Sequence, residues 1–148
     1  MAMNFTIEMR NGDADLEVWL QGRIRSFNTG ASPYHRYSRR PGALRPLRLA
    51  LRGPEGDLIG GLSASTVWGW LDLDYLIVPE SFRGQGCGTA LLDRAEGIAV
   101  ERGCRWSRLS TFGFQARGFY ERHGYRVVGV MEDFPPGSAF YWMRKDLD

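Results

Sequence analysis

Between residues 76 and 92 the chain reads Leu76-Ile77-Val78-Pro79-Glu80-Ser81-Phe82-Arg83-Gly84-Gln85-Gly86-Cys87-Gly88-Thr89-Ala90-Leu91-Leu92, an order that few backbones accommodate. An apolar, β-branched run ends at a proline, a glycine-rich turn follows, and the turn opens a helical pattern. Leu91, Leu92, Ala95, Ile98 and Ala99 recur on one helical face, which predicts a helix over 86–102. Gly84, Gly86 and Gly88 let the backbone turn tightly and approach a ligand without Cβ clashes. The first N–H groups of a helix lack intrahelical partners, and the helix dipole adds partial positive charge to them. Arg83 adds a full charge at the same end. Each such contribution is worth roughly 0.3–2 kcal/mol, so several must act together to hold an anion. The segment suits a pyrophosphate, and it also suits a tight turn with no ligand. It is not a P-loop, because no Gly-Lys-Ser/Thr follows. It is not a dinucleotide fingerprint either, since Arg102 and Gly103 lie near the position where that fold expects a ribose-binding acid.

The rest of the chain sets this segment in a mixed sheet. Residues 3–10 mix β-branched and polar side chains and read as a first strand. Leu16, Trp19 or Leu20, Ile24 and Phe27 give a helix one apolar face, which Asn28-Thr29-Gly30 ends. Residues 31–46 are rich in Gly, Pro, Ser, Arg and Tyr and read as a long loop with a helical turn, a candidate substrate-side flap. Strands are expected over 47–52, 58–67 and 70–78, joined by Gly53-Pro54-Glu55-Gly56-Asp57 and by Trp68-Gly69 as an antiparallel meander. A strand over 105–111, a short helix over 115–123 and strands over 125–131 and 140–147 complete an α/β chain, with a mixed sheet and helices on its faces.

Length and composition remove several alternatives. The 148 residues suffice for one domain, 1–148, and are too few for two. With 43% apolar and 24% charged residues the balance is globular. No apolar run is long enough for a membrane helix, and the N-terminus lacks the charged start and apolar run of a secretory signal. A soluble, cytoplasmic protein without membrane contact is expected. A net charge of +2 is too weak for a nucleic-acid binder. Cys87 and Cys104 have no CxxC spacing, and His35 and His123 stand far apart, so no metal is expected.

Two blocks carry a family resemblance. Arg83-x-x-Gly86-x-Gly88 is similar to the Arg/Gln-x-x-Gly-x-Gly/Ala signature of the GNAT acetyltransferases, which are bacterial small-molecule or protein N-acetyltransferases in one large branch. Ala116-Arg117-Gly118-Phe119-Tyr120-Glu121-Arg122-His123-Gly124-Tyr125 resembles the family's Ala-x-x-Leu/Phe-Tyr-x-x-x-Gly-Phe/Tyr helix. The order of elements agrees as well. The resemblance implies the GNAT fold, a mostly antiparallel central sheet of about six or seven strands with a splayed strand pair and about four flanking helices. It also implies an enzyme, an acetyl-CoA-dependent N-acetyltransferase that passes the acetyl group directly to a primary amine.

The same resemblance implies a site. Pantetheine would lie between the splayed strands and pair with the backbone near Leu76, Ile77 and Val78. The pyrophosphate would rest on Arg83, Gly84, Gln85, Gly86, Cys87, Gly88 and Thr89, with Phe119 nearby. Where the family often has Asn this chain has Gly113, and Gln115 stands ready to supply the amide. Tyr120 matches the tyrosine that protonates the departing thiolate as general acid. Asp72 and Asp74 alternate along one strand, so both are expected on one sheet face. Asp72 falls near the position of a family glutamate base, and either acid is a candidate base or an attractor for a cationic amine. Glu132 and Asp133 read as loop residues facing the acceptor. Cys87 in this motif reads as a small apolar residue, not a nucleophile. The acceptor is expected to be a cationic amine, such as an aminated antibiotic, a polyamine or a lysine side chain. A monomer or homodimer is expected, and the competing reading is a non-catalytic, coenzyme-A-binding regulatory module.

Overall fold

A computed structural model describes residues 4–147. The chain forms two compact units, Met1–Arg40 and Pro41–Asp148. In the first, helix α1 (Ala14–Ala31) starts where the Asp13 carboxylate accepts the Leu16 N–H at 2.8 Å, with Asp15 and Glu17 in the dipole's positive first turn. Ser32 ends α1 by donating its N–H to Asn28, and its hydroxyl then caps α2 (Pro33–Ser38) by accepting the His35 N–H. Pro33 sits at the helix start, where its missing N–H costs nothing. The loop expected over 31–46 therefore contains a six-residue helix.

Residues 4–10 form no strand, contrary to the reading of 3–10, whose residue 3 lies outside the described residues. β-branched residues mark a propensity, but a strand exists only where a neighbour completes its ladder.

The second unit is a sheet with α3 (Cys87–Glu101) and α4 (Arg117–Arg122). Its strands are β1 (Arg45–Arg52), β2 (Leu58–Val67), β3 (Trp70–Ile77), β4 (Trp106–Phe112), β5 (Arg126–Glu132) and β6 (Ala139–Asp146). They lie in the order β1-β2-β3-β4-β6-β5, antiparallel throughout except between β3 and β4. This is the mixed α/β class expected, with six strands and four α-helices among the described residues. β2 passes to β3 through Trp68 and Gly69, both at positive φ (56° and 78°), the two-residue geometry whose twist matches a hairpin.

One register step shapes β3. Ala64 faces Leu73 and Ser63 faces Tyr75, which leaves Asp74 as an extra residue without a rung on β2. The bulge moves the inward phase from Leu71 and Leu73 to Leu76 and Val78. The core then closes on one sheet face. Leu91, Leu92, Ala95 and Ala99 of α3 pack with Leu47, Leu62, Ala64, Leu71, Leu73, Leu109 and Met143.

Polar ties complete that face. The Arg102 guanidinium at the end of α3 donates to the Arg45 and Pro46 carbonyls, each at 3.2 Å, and reaches the Thr66 hydroxyl. The buried Tyr125 hydroxyl lies 2.7 Å from that of Ser107 and 3.0 Å from the Glu96 carboxylate, whose other oxygen holds the Lys145 ammonium.

Candidate active site

The site begins with a strand pair that parts. β3 and β4 share only three rungs, Trp70 with Trp106, Leu71 with Ser107 and Asp72 with Arg108. Beyond them β3 stays paired with β2 as far as Ile77, and β4 stays paired with β6 as far as Phe112. The closed end is pinned by Trp70 against Trp106, ring centroids 5.2 Å apart, with the Arg144 guanidinium over the Trp70 ring. The Asp74 bulge lies just past the last shared rung, where it adds local twist and bends β3 away. A wedge thus opens between residues 73–77 and 109–112, lined on one side by backbone that has no second strand.

β3 feeds this wedge into the glycine turn. After a short 3₁₀ turn, Glu80–Phe82, the chain passes through Gly84 and Gly86 at φ 72° and 82°. A Cβ on either would meet nothing within 4 Å, so conformation, not space, requires glycine there. Gly86 caps α3 without a side-chain hydrogen bond, and the first turn holds no acid. The ladder starts with Ala90 N–H donating to Gly86 at 2.9 Å, so the N–H groups of 87–89 precede it. Arg83 and Gln85 brace the turn from within, the guanidinium donating to Val78 at 3.2 Å and the amide to Ser81 at 3.1 Å. Gly88 has a different reason: a Cβ there would stand 3.3 Å from two Phe119 ring atoms. Cys87, half-buried, is the first residue of α3.

α4 hangs from the far end of β4. Tyr120 is buried in the core cluster on which Leu76 and Val78 pack, and its ring meets Phe119 and Tyr125 edge-on. Burial raises its pKa above the ordinary tyrosine value, and its hydroxyl makes no hydrogen bond among the described residues. The phenol therefore keeps its proton at neutral pH. Gln115 turns its carbonyl oxygen back onto β4, accepting the Phe112 N–H at 2.8 Å and the Thr111 hydroxyl at 3.3 Å, which leaves only its NH₂ to donate elsewhere.

The opposite sheet face carries the acids and a cluster of rings. Asp72 is bound to Arg108 at 2.6 Å. Asp74, in the bulge, is exposed and makes no side-chain hydrogen bond or ion pair among the described residues. The two carboxylates, each a candidate base by sequence, are thus differently committed. Phe112 stacks on Phe114 at 5.2 Å and meets Phe134 and Phe140, and Phe140 meets Trp142 edge-on. Phe114 and Phe134 are exposed, and Glu132 and Asp133 lie at the base of the Phe134 loop.

The profile of the Acetyltransferase (GNAT) family matches residues 16–125. The chain belongs to the GNAT acetyltransferases. It is 40% identical over 131 residues to the blasticidin-S acetyltransferase of Streptomyces morookaense, covering 84% of this chain and 96% of that protein. It is 36% identical over 101 residues to the acetyltransferase Atu2258 of Agrobacterium fabrum, covering 68% and 74%. The crystal structure of an acetyltransferase from Bacillus cereus superposes with a TM-score of 0.84 at 33% identity, covering 95% of this chain and 98% of that one. This GNAT enzyme transfers an acetyl group, and acetyl-CoA is the donor typical of its family. The parted strands and the uncapped, acid-free start of α3 fit a pantetheine arm and its diphosphate. Among the described residues no cluster of three His, Cys, Asp or Glu gathers to hold a metal, and no helix is long and apolar enough to cross a membrane.

Two residues of the acetyltransferase escaped sequence reasoning. Arg108 reads as one arginine among many, and only strand adjacency joins it to Asp72. His123 reads as a helix-end residue. It is one, but its ring also ties α4 to the first turn of α3 through Thr89 at 2.9 Å.

Proposed function

We propose that the enzyme carries the acetyl group of acetyl-CoA directly to the primary amine of a cationic acceptor that also has a planar ring. The observation that carries this reading is the wedge between β3 and β4, closed at Trp70 and Trp106 and opening toward the N-terminus of α3. Pantetheine extends the broken sheet by pairing with the free edge near Leu76, Ile77 and Val78. The diphosphate rests on the N–H groups from Gly84 to Thr89, with Arg83 beside it and Phe119 packed beneath Gly88. The Gln115 NH₂ is left to meet the arm where the family often uses Asn.

The chemistry follows from where protons are held. The neutral amine attacks the thioester carbonyl, forming the N–C bond, and a backbone N–H of β3 stabilises the oxyanion. The C–S bond breaks, Tyr120, which burial keeps protonated, gives its proton to the sulfur, and the proton that the attacking nitrogen sheds on becoming an amide returns to the phenolate through water. Asp74, without a cation partner among the described residues, draws in the ammonium form and takes its proton directly or through one water. Asp72 contributes negative charge at the root of the wedge while it holds Arg108. Phe114 and Phe134 offer exposed ring faces for a planar acceptor, and Glu132 and Asp133 favour a cation. The sheet unit and residues 1–40 act as one domain, a reading supported by a family match that runs through both. A cytoplasmic enzyme, alone or as a homodimer, suits a donor made in that compartment.

The relative that acts on blasticidin S, by its name, supplies the first acceptor to test. Thiol release from acetyl-CoA is measured with blasticidin S, polyamines and a lysine peptide. Turnover is expected with a ring-bearing cation and is weaker with an open-chain polyamine. Coenzyme binding without turnover on any amine would instead favour a regulatory module.

A further inference from the structure

His123 stands between the two parts of the site, and its hydrogen bonds fix where its protons are. Its Nδ1 lies 2.7 Å from the Phe119 carbonyl oxygen, one of the unpaired carbonyls at the end of α4. A carbonyl only accepts, so Nδ1 carries a hydrogen. In the neutral ring Nε2 then has none and must accept the hydroxyl hydrogen of Thr89, 2.9 Å away. The ring also packs on Phe119 at 4.4 Å, and Phe119 lies under Gly88.

Thr89 belongs to the first turn of α3, where helical side chains tilt toward the N-terminus. With the ring neutral, its one hydrogen points inward to His123, and it offers only lone pairs to the space before the helix. A diphosphate is itself all lone pairs. The two are compatible only if Thr89 turns its hydrogen outward, and His123 must then supply a hydrogen on Nε2. Histidine is the side chain that gains a proton in the neutral range. The cation so formed lies between an arriving anion and the negative end of α4.

We propose that His123 is a positioning residue that takes up one proton from solvent when the diphosphate of coenzyme A binds, so that Nε2–H donates to Thr89 and Thr89 donates to a phosphate oxygen. This rests on the reading of the α3 N-terminus as the diphosphate site. The other ionisable groups on the elements around the ring neither replace nor cancel the effect. On α3 they are Cys87, Asp93, Arg94, Glu96 and Glu101; Asp93, Arg94 and Glu101 are exposed, and Glu96 is held by Tyr125 and Lys145. On α4, Arg117 is paired with Glu121, and Arg122 is exposed. From β6 only the aliphatic carbons of Lys145 approach the neighbouring Gly124, its ammonium being held by Glu96.

The test is calorimetric titration with dephospho-coenzyme A, which lacks the 3′-phosphate that would titrate near neutrality. It is run at one pH in buffers of different ionisation heat, and then across pH 6–9. The expected result is proton uptake on binding, with affinity weakening as pH rises, by up to about tenfold per pH unit where the linkage is complete. Thr89→Val and His123→Gln should bind with no buffer-dependent heat and a flat pH profile. The glutamine amide supplies a permanent donor, so His123→Gln should keep most of the affinity that Thr89→Val loses. Binding by the unaltered enzyme without proton uptake, or uptake that survives Thr89→Val, overturns the proposal while leaving the coenzyme site intact. No heat at millimolar ligand overturns the coenzyme site itself. If His123→Gln does not fold, as judged by thermal melting, the unaltered enzyme and Thr89→Val still decide.

Discussion

Asp72 and Arg108 face each other on the last rung that joins β3 to β4, and their side chains close that rung as an ion pair at 2.6 Å. Past them the strands part, and the next acid along, Asp74, holds no cation among the described residues. The Arg108 side chain is 61% exposed, so the pair adds at most about 1 kcal/mol to stability. Asp72→Asn should therefore shift the melting temperature only slightly and lower kcat/KM for a cationic amine modestly. Asp74→Asn should cost about tenfold or more, the scale of a lost base or attracting charge. Steady-state kinetics of the two variants compare them directly. Equal losses, or a larger loss at Asp72, would reverse the assignment.

Tyr120→Phe removes a hydroxyl that makes no hydrogen bond among the described residues. Stability should hardly change, and KM for acetyl-CoA should stay within a few-fold. The rate constant kcat should fall by about 10²–10⁴, the range for a positioned acid. Because burial raises the Tyr120 pKa, the acid form persists beyond the ordinary tyrosine range, and activity should not decline through this group below about pH 10. A kcat profile for both enzymes reads out the assignment.

The glycines of the turn should fail in different ways. Gly86→Ala forces a φ of 82° on a residue with a Cβ, at a cost of about 1–2 kcal/mol, but meets no neighbour. It should lower the melting temperature. Gly88→Ala lies within α3, where alanine is the better helix former, but it crowds the Phe119 ring at 3.3 Å. It should leave stability near its original value and raise KM for acetyl-CoA several-fold. Melting curves beside donor kinetics separate the two effects.

Alkaline pH should unfold the protein through Tyr125. Burial and then the Glu96 carboxylate raise its pKa well above the ordinary tyrosine value, against a smaller lowering by Ser107. The folded state holds a proton that the unfolded chain releases near pH 10, so this stability is full below pH 10 and is lost as pH rises beyond it. Tyr125→Phe should flatten that loss. It should also cost about 1–3 kcal/mol at pH 8, because Ser107 and Glu96 lose a buried partner. Denaturant titrations at pH 8 and pH 11 measure both changes.

Local chemistry made much of this legible beforehand. Pro79, the spaced glycines and the apolar face at Leu91, Leu92, Ala95 and Ala99 mark strand, turn and helix within twenty-one residues of sequence before any packing is known. Gly69 announced a turn because glycine takes positive φ freely, while the positive φ of Trp68 is imposed by the hairpin that closes around it. The reading of 3–10 as a strand failed where the sequence held only propensity and no partner.

The amino-acid order by itself determined most of the elements, the glycine turn that opens α3 and the placing of Tyr120 on a short helix, because φ, ψ and side-chain period are set by neighbours along the chain. Tertiary structure alone decided that β3 and β4 meet for three rungs and then part, and that Asp74 falls in a bulge while Asp72 keeps a rung on each neighbour. It alone brought Asp72 to Arg108 and Thr89 to His123. Those contacts join residues 36 and 34 positions apart, and no local preference encodes a register or a hydrogen bond across such a distance.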